Sequence, residues 1–250
     1  MAIGVVAVLL GITLPAFAYA RRQAAITDCH STLRSITQGL HASAGARRGE
    51  VRNLFLHDQS VVLYEPPGTT AYPMVYFDQS PRWAHVVEGV VWNYNDERDM
   101  ESVSCRAAII AAQRRHHRTL FWSVVGAGTT SYFLSAAFFS APDLWNPDDP
   151  AVRQEPERRR AVVLLSQVTF PSSKVVFAET KDHHGSERAI DDDRVRDVNA
   201  AFTDGHVRRV SVPDAAPALE FHPYWGTLAE RRSFRMPFSS AAWGYQGRDF

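Results

Sequence analysis

The chain begins with an uncharged apolar run that ends at a pair of arginines. Residues Ala2 to Ala20 contain no Asp, Glu, Lys or Arg, and Arg21 and Arg22 follow directly. A segment that is apolar on every face has to be covered on every side, and about 20 such residues in a helix match the ~30 Å hydrocarbon core of a bilayer. Helix is the conformation that satisfies all backbone groups within one lipid-facing segment, and Pro15 is expected to kink it without ending it. The run predicts a membrane-inserted helix. Two alternatives are a secretory signal peptide, with Ala16-Phe17-Ala18 or Ala18-Tyr19-Ala20 as the cleavage site, and a plain signal anchor, for which Arg21-Arg22 favour a cytoplasmic C-terminal side.

After the arginines, apolar residues recur at steps of three and four, which is the period of an amphipathic helix. They are Ile26, Cys29, Leu33, Ile36, Leu40 and Ala44. We therefore expect one continuous helix from about residue 3 to residue 44, roughly 60 Å long at 1.5 Å per residue. Its first half suits lipid or other helices, and its second half suits one side of a globular domain. The predicted organisation is an N-terminal transmembrane and assembly helix over residues 1–45 and a globular domain over residues 46–250.

The composition of the chain excludes few classes of protein. Hydrophobic residues make up 45% and charged residues 22% of the 250 residues, which is ordinary for a folded protein. The part after the helix is long enough for one domain with its own core. Lys and Arg together number 27, as do Asp and Glu. Because no net charge attracts a polyanion, no nucleic-acid partner is expected.

The globular part has the pattern of an α+β fold with mostly antiparallel strands. Short β-branched and aromatic runs predict strands at 53–57, 61–64, 74–77, 84–87 and 89–94, and residues 171–179 predict a turn that leads into a strand. The clearest signal is a hairpin, in which strands 198–202 and 206–210 flank Asp204-Gly205. Two segments are ambiguous: 107–118 reads as a helix or an extended run, and 161–167 as a helical turn or a strand. Residues 142–160, rich in proline and charge, predict a surface loop.

The chain has two cysteines, Cys29 and Cys105. Their number and spacing exclude a CxxC zinc site. Outside the cytoplasm they can form a disulfide that ties the helix to the domain, and the chain-entropy model gives such a cross-link roughly 4 kcal/mol. The alternative is two unpaired thiols, one in the helix and one in a strand.

Ligand-type side chains are concentrated in one region, between residues 183 and 206. The candidates for a divalent cation are His183, His184, Asp191, Asp204 and His206, with Asp192 and Asp193 beside them. Carboxylates suit calcium and imidazoles suit zinc. Neither an EF-type loop nor an H-E-x-x-H helix is present, so the alternative is a solvated loop plus a turn aspartate that accepts backbone N–H bonds. No nucleophile motif is present either, and no catalytic or cofactor-binding residue is assigned.

Two stretches carry a family resemblance. The apolar helix with Cys29–Leu40 (CHSTLRSITQGL) and the hairpin Val198–Val207 (VNAAFTDGHV) resemble type IV pilin-like proteins and type II secretion pseudopilins. The chain is most similar to the bacterial group with a prepilin-type N-terminus and a C-terminal H-X9-DG signature. Weaker matches are Ser102–Cys105, like a strand that ends in a second cysteine, Thr130–Tyr132, and Pro171–Glu179, like a strand that ends in glutamate.

The chain departs from that family at two places. The basic leader, the Gly-Phe-Thr-Leu step and the glutamate that precede the apolar run in such families do not stand before it here. The position of the signature histidine is occupied by Arg194, although the signature turn Asp204, Gly205 and His206 is present. The processing site and the glutamate-mediated assembly contact of the family are therefore assigned to no residue.

The resemblance implies a structural subunit that is not an enzyme. Its helix crosses the inner membrane once and packs against other pilin-like subunits, and its domain is periplasmic or extracellular. One alternative is a membrane-anchored or secreted metal-dependent enzyme that uses the His/Asp residues above. A second is a surface-binding module that uses the aromatic residues near the C-terminus, which are Phe221, Tyr224, Trp225, Phe234, Phe238, Trp243, Tyr245 and Phe250.

Overall fold

The expected α+β class is confirmed: a long N-terminal helix lies against antiparallel sheet. The computed structural model describes residues 2–55, 61–64, 72–75, 79–85, 87, 101–115, 130–149, 161–190, 192–219, 237–239 and 241–250. The predicted strand at 89–94 falls outside these residues. All structural statements below concern the described residues.

Helix α1 spans Ala2–Ala46, about 68 Å at 1.5 Å per residue. It is continuous, and Pro15 lies inside it. The helix ends where Arg48 and Gly49 take left-handed backbone angles, φ 60° and 90°, and the amide of Gly49 donates to the carbonyl of Ala44 at 2.7 Å. Within the described residues, no helix has both the length and the apolar character that a membrane crossing requires.

The strands form one four-stranded antiparallel sheet and two short antiparallel pairs. In chain order they are β1 (Glu50–Val51), β2 (Val61–Tyr64), β3 (Tyr72–Val75), β4 (Tyr132–Leu134), β5 (Val163–Leu164), β6 (Val175–Glu179), β7 (Asp197–Phe202) and β8 (Val207–Ser211). The main sheet has the order β4-β6-β7-β8, and the short pairs are β1-β5 and β2-β3. Helix α2 (Arg106–Arg115) and the 3-10 helices Trp83–His85, Ala136–Phe138, Pro142–Trp145, Leu165–Gln167 and Gly244–Gln246 complete the described elements.

The predicted hairpin is confirmed as β7-β8. Val198 pairs with Val210, and the amide of Phe202 donates to the carbonyl of His206 at 2.9 Å to close the turn. Gly205 has φ 91°, a left-handed angle that favours glycine at this turn position. The Asp-Gly pair thus fixes the register of the two strands.

The second half of α1 packs on one face of the main sheet through the predicted apolar stripe. Five of its six members are buried: Cys29, Leu33, Ile36, Leu40 and Ala44. Facing them from the sheet are Tyr132, Leu134, Phe177 and Ala201. A second core lies on the opposite face of the sheet and contains Phe133, Val175, Ala178, Val198, Ala200, Phe202 and Phe238. Each large apolar side chain buried in this way contributes ~1.5–3 kcal/mol, so the stripe attaches α1 firmly to the sheet.

Several local predictions need correction. The segment predicted as a strand at 84–87 contains the 3-10 turn Trp83–His85, where the Trp83 indole donates to Thr130 Oγ1 at 2.7 Å. Residues 53–55 of the strand predicted at 53–57 are not in a strand. Ser102–Cys105 is no strand either: Ser102 ends a helical turn, and the next three residues lead into α2. Part of the predicted surface loop is the 3-10 helix Pro142–Trp145, which buries Leu144 and Trp145.

The structure describes most of both ambiguous segments. Of residues 107–118, 107–115 are helical and belong to α2, and 116–118 lie outside the described residues. Residues 163–167 combine the two expectations, since strand β5 passes directly into the 3-10 helix Leu165–Gln167.

Candidate functional site

The candidate site lies under the first buried turn of α1, where a disulfide joins two helices. Cys29 comes from α1, and Cys105 is the residue before α2. In the structure their sulfurs are bonded, with the Cα atoms 5.2 Å apart, inside the usual range for a disulfide. Both residues are fully buried. The bond therefore connects α1 covalently to the globular part.

An imidazole and a carboxylate lie against this disulfide. Strand β6 ends at Glu179, and the following turn carries His184. The Nε2 atom of His184 is 3.4 Å from the sulfur of Cys105 and 3.3 Å from Oε1 of Glu179. One ligand-type atom from each of Cys29, Cys105, Glu179 and His184 lies within 4.8 Å of the others, and all four residues are buried. We call these four residues the buried cluster.

Asn199 on β7 holds the carboxylate of the buried cluster in place. Its backbone amide donates to Oε2 of Glu179 at 2.9 Å, and its side-chain amide donates to Oε1 at 3.1 Å. Its own Oδ1 lies 2.9 Å from Nε2 of His30 on α1. A buried carboxylate is costly unless it is hydrogen-bonded, and these contacts satisfy it. A line of polar contacts therefore runs from half-buried His30 to the disulfide.

Tyr132 closes the cluster on the side of β4. Its hydroxyl is 3.5 Å from the backbone carbonyl of Cys29. Burial raises the pKa of Tyr132 well above its ordinary value, and the charges of Glu179 and Asp28 raise it further. The phenol therefore stays neutral and acts as a donor.

The turn that presents His184 is fixed by Asp182. The Asp182 carboxylate accepts from the backbone amide of Ser186 at 2.7 Å and from Nη2 of Arg209 at 3.1 Å. Burial by itself raises the pKa of Asp182, but these hydrogen bonds outweigh it and lower the pKa overall. A Cβ atom at Gly185 would collide with the same carboxylate, so only glycine fits there. This tight turn gives His184 a defined position.

The structure does not bring the predicted cation ligands together. Of the five, only His184 belongs to the buried cluster, and Asp191 falls outside the described residues. His183 is partly buried and its Nε2 has no hydrogen-bond partner, while burial lowers the pKa of its imidazole. Asp204 and His206 contact each other in the β7-β8 turn, with Oδ1 and Nδ1 2.6 Å apart. That turn is roughly 16 Å along β7 from Asn199, because a strand rises about 3.3 Å per residue.

The neighbouring acidic residues form a solvated loop. Asp192 accepts from Nε of Arg194 at 2.9 Å and from Nη1 of Arg188 at 3.3 Å. The hydrogen bonds from Arg194 hold the pKa of Asp192 far below its usual value. The side chain of Asp193 is 96% exposed. The arginines thus neutralise the charge that had suggested calcium.

The aromatic residues near the C-terminus are only partly described. Phe221, Tyr224, Trp225 and Phe234 lie outside the described residues. Of the others, Phe238 and Tyr245 are buried, Phe250 is partly buried and stacks on Phe238, and Trp243 is 44% exposed. Most of the described members therefore belong to the core and not to an open binding surface.

Sequence reasoning did not assign Glu179, Asn199 or His30 to the site. The available signal was a charged residue at the end of an otherwise apolar strand, VVFAE, and an asparagine in the apolar strand VNAAF. Such residues are seldom buried without a partner, so each predicts a polar contact within the core.

Comparison with protein-family models, with curated proteins and with solved structures finds no match to this chain. The chemistry of the site is therefore inferred from its own donors. Two sulfurs, an imidazole nitrogen and a carboxylate oxygen are donor types that zinc takes in tetrahedral sites. In the present state the two sulfurs are bonded to each other, and the cluster acts as a covalent and hydrogen-bonded junction between α1 and the sheet.

Proposed function

We propose that this chain is a pilin-like structural subunit. The first half of α1 is held in the inner membrane and, on assembly, packs against the same segment of other pilin-like subunits. The globular part lies on the periplasmic or extracellular side. The observation that carries this proposal is an exposed apolar stretch of α1, residues 9–19, which we call the projecting segment.

Large apolar side chains of the projecting segment face solvent. They are Leu9, Leu10, Ile12, Leu14, Phe17 and Tyr19, with exposures of 57%, 52%, 65%, 65%, 70% and 66%. At 100° per residue these side chains spread around more than half of the helix circumference. Soluble monomers rarely leave a continuous apolar surface of this kind uncovered. The proposal rests on this exposure and not on the mean hydropathy of the helix.

Within the described residues, the globular part does not cover the projecting segment. The first fully buried side chain among those described in α1 is that of Cys29, and Leu9 lies about 30 Å farther along the helix axis at 1.5 Å per residue. Covering therefore has to come from beyond the described part of this chain. Lipid and the apolar helices of other copies are both suitable, and each large side chain they cover contributes ~1.5–3 kcal/mol.

Arg21 and Arg22 support a membrane boundary at this place. Both are exposed and stand after Ala20, one residue beyond the projecting segment. Arginine side chains at such a boundary extend their charged groups toward the aqueous side while their stems remain near the apolar layer. Arginines beside a membrane helix favour the cytoplasmic side, so the periplasmic or extracellular placement of the domain is taken from the family resemblance alone. The docked half of α1 begins within two helical turns of this pair, as a subunit with its domain at the membrane surface requires.

Membrane fractionation tests the anchoring. We expect the full-length chain to remain in the membrane fraction after washing at alkaline pH. Leu10→Asp combined with Phe17→Asp should shift it to the soluble fraction, because each charge in the hydrocarbon core costs ~2.5–3.5 kcal/mol. The matched control is Ser31→Asp, which adds a charge at an exposed position of the docked half and should not change the distribution.

Photo-crosslinking tests the assembly. A benzophenone amino acid in place of Phe17 should give dimers and higher multimers of the chain in membranes, and the same group in place of Ser31 should give few. A full-length chain that is a monodisperse monomer without detergent would contradict both parts of the proposal. Membrane retention without position-dependent crosslinks would leave a simple anchor and remove the pilin-like assembly.

A further inference from the structure

The buried cluster has a chemical capacity that goes beyond the proposed function and does not depend on it. Its four side chains come from α1, the start of α2, the end of β6 and the following turn. Only the S–S bond prevents the two sulfurs from acting as metal ligands. Because thiolates and not disulfide sulfurs ligate zinc, the redox state of this cysteine pair decides which donors the cluster offers.

We propose that reduction of the Cys29–Cys105 disulfide converts the buried cluster into a zinc site. The ligands are the two thiolate sulfurs, Nε2 of His184 and a carboxylate oxygen of Glu179. The disulfide and the zinc ion are alternative cross-links at the same place. The disulfide joins α1 to the start of α2, and the zinc ion would join α1 to the start of α2, the end of β6 and the turn that carries His184.

The distances suit this conversion. Tetrahedral zinc with bonds of about 2.0–2.3 Å places its ligand atoms about 3.3–3.8 Å from one another. In the structure, Nε2 of His184 is 3.4 Å from the Cys105 sulfur and 3.3 Å from Glu179 Oε1. No two of the four ligand atoms are more than 4.8 Å apart. Zinc binding therefore needs the two sulfurs to separate to about 3.8 Å and the widest pair to close by about 1 Å, which are side-chain movements.

The redox step balances with a dithiol as the reductant. A dithiol transfers two electrons and two protons to the disulfide, and it becomes a disulfide itself while Cys29 and Cys105 become thiols. Binding of Zn²⁺ then releases the two thiol protons to solvent. Nε2 of His184, which donates to Glu179 Oε1 in the disulfide state, loses its proton to solvent as it binds the ion, and Nδ1 takes one up, so the imidazole stays neutral. With neutral imidazole, the disulfide state carries one negative charge on Glu179. The zinc state carries three negative charges and two positive ones, so the net charge of the buried site does not change.

The surroundings already contain the outer contacts that a zinc site uses. Asn199 donates twice to Glu179 and is itself held by His30. Such contacts orient a ligating carboxylate and are worth about 10–100-fold in metal affinity. All four proposed ligands are buried, so bulk water does not compete for the fourth position. Complete protein ligation of this kind is typical of a structural and not a catalytic zinc site.

Cobalt binding to the full-length chain tests the proposal. The chain is purified under oxidising conditions and divided into two samples, of which one is reduced with a water-soluble phosphine. The phosphine becomes its oxide and takes the oxygen from water. Both samples are then titrated with Co²⁺ and afterwards with Zn²⁺. We expect the reduced chain to bind one Co²⁺ with a thiolate-to-cobalt charge-transfer band and the visible bands of tetrahedral cobalt, which Zn²⁺ abolishes. The oxidised chain should show neither. Zinc should also protect both cysteines of the reduced chain from alkylation, as counted by mass spectrometry.

Variants distinguish this site from adventitious binding. In the reduced chain, His184→Ala should lower the zinc affinity by more than about tenfold, and Asn199→Ser by about 10–100-fold, because the first removes a ligand and the second releases Glu179. The matched control is His206→Ala, which removes a histidine from the β7-β8 turn and should leave the affinity unchanged. Cys29→Ser with Cys105→Ser should abolish the charge-transfer band.

Four results would overturn the proposal. The first is equal cobalt binding by the oxidised and reduced chains. The second is a charge-transfer band that survives loss of both cysteines. The third is a reduced chain that keeps its circular dichroism spectrum and binds no metal. The fourth is a chain that unfolds on reduction and is not restored by zinc.

Discussion

The second-last residue of the chain makes the most completely buried ion pair among the described residues. Lys174 and Asp249 are both 0% exposed, and the Lys174 Nζ donates to Asp249 Oδ1 at 2.8 Å. The other carboxylate oxygen accepts from the backbone amide of Val175 at 2.7 Å. The amide of Asp249 also donates to the carbonyl of Ser173 at 3.0 Å. Asp249 thus packs against the start of β6. We predict that substitutions of Lys174 and Asp249 have strongly non-additive effects on the free energy of unfolding.

The structure sets the expected magnitudes. Lys174→Met leaves a buried carboxylate with one backbone donor, and Asp249→Asn leaves a buried ammonium, so each single change should lower the free energy of unfolding by ~3–5 kcal/mol. The double variant carries no charge, and its amide oxygen still accepts from Val175. The double variant should therefore lose only ~1–3 kcal/mol in free energy of unfolding, which is the cost of one buried amide N–H without a hydrogen-bond partner. The two effects should therefore be non-additive by about 3 kcal/mol or more.

The pKa of Asp249 reflects the cost of burying its charged form. Burial raises the pKa of this carboxyl, and the charge and hydrogen bond of Lys174 with the Val175 amide offset that only in part. The native chain therefore binds the proton more tightly than the unfolded chain does. The stability that this proton contributes is fully present below the unfolded pKa of about 3.9 and is lost as the pH rises through the native pKa. Asp249→Asn should remove this part of the pH dependence.

The original chain, the two single variants and the double variant form a double-mutant cycle. Equilibrium urea denaturation in mild detergent, with the disulfide intact, measures the free energy of unfolding of each of the four proteins. Fluorescence of the buried Trp83 and Trp145 reports unfolding. The matched control is the surface pair of Asp192 and Arg194, whose side chains are 22% and 68% exposed, where Asp192→Asn and Arg194→Met should show much weaker coupling than the buried pair because solvent screens these charges. Single variants at the buried pair that lose less than about 1 kcal/mol, with no coupling, would refute the reasoning from desolvation.

Three further predictions concern α1 and the turn that presents His184. Cys29→Ala with Cys105→Ala should lower the free energy of unfolding by ~4.5 kcal/mol in urea denaturation, because the closed loop has a sequence separation of 76. Ile36→Ala, at a fully packed position of the stripe, should cost ~2–5 kcal/mol in the same assay. Gly185→Ala should lower the free energy of unfolding by ~1–3 kcal/mol, seen as a lower thermal midpoint, because the added Cβ displaces the Asp182 carboxylate.

Two of these, Ile36→Ala and Gly185→Ala, have a control in the same chain. Ser35→Ala changes an exposed residue beside Ile36 and should have little effect. Gly45→Ala adds a Cβ to α1 where nothing lies within 4 Å, so it should be neutral or stabilise by up to ~1 kcal/mol. If Gly185→Ala behaves like Gly45→Ala, the turn is not tight. If the double cysteine variant loses nothing, other contacts already hold α1 in place.

The parts of the fold that sequence could predict are those decided by neighbouring residues. The stripe from Cys29 to Ala44 follows the period of one helix, and the β7-β8 hairpin follows from Asp204-Gly205. Ile26 continues the same period but is only partly buried, because it precedes the first residue of α1 that is fully covered. Periodicity therefore predicts which face of a helix is apolar, but not where its partner begins.

The candidate site could not be predicted in the same way, because its residues are brought together by packing over long sequence separations. His183, His184, Asp204 and His206 are near one another in sequence, but β7 separates the first two from the last two by its full length. Conversely, Cys29, Cys105 and His184 are far apart in sequence and adjacent in space. The antiparallel order β6-β7 and the docking of α1 decide this arrangement, and neither leaves a local signal.

The position of the disulfide connects the two proposals in mechanical terms. Any load on the projecting segment reaches the globular part through the first buried turn of α1, where separation from the sheet would begin. Cys29 is the first fully buried residue of that helix, and His30 beside it bonds to Asn199 on β7. A covalent bond at this turn prevents α1 from starting to separate from the sheet. The same bond near Ala44 would let the contacts of the stripe from Leu33 to Leu40 break one after another. In the proposed zinc state, the ion would hold the same turn through the same cysteines, so the disulfide form and the zinc-bound form would each keep α1 attached where load enters.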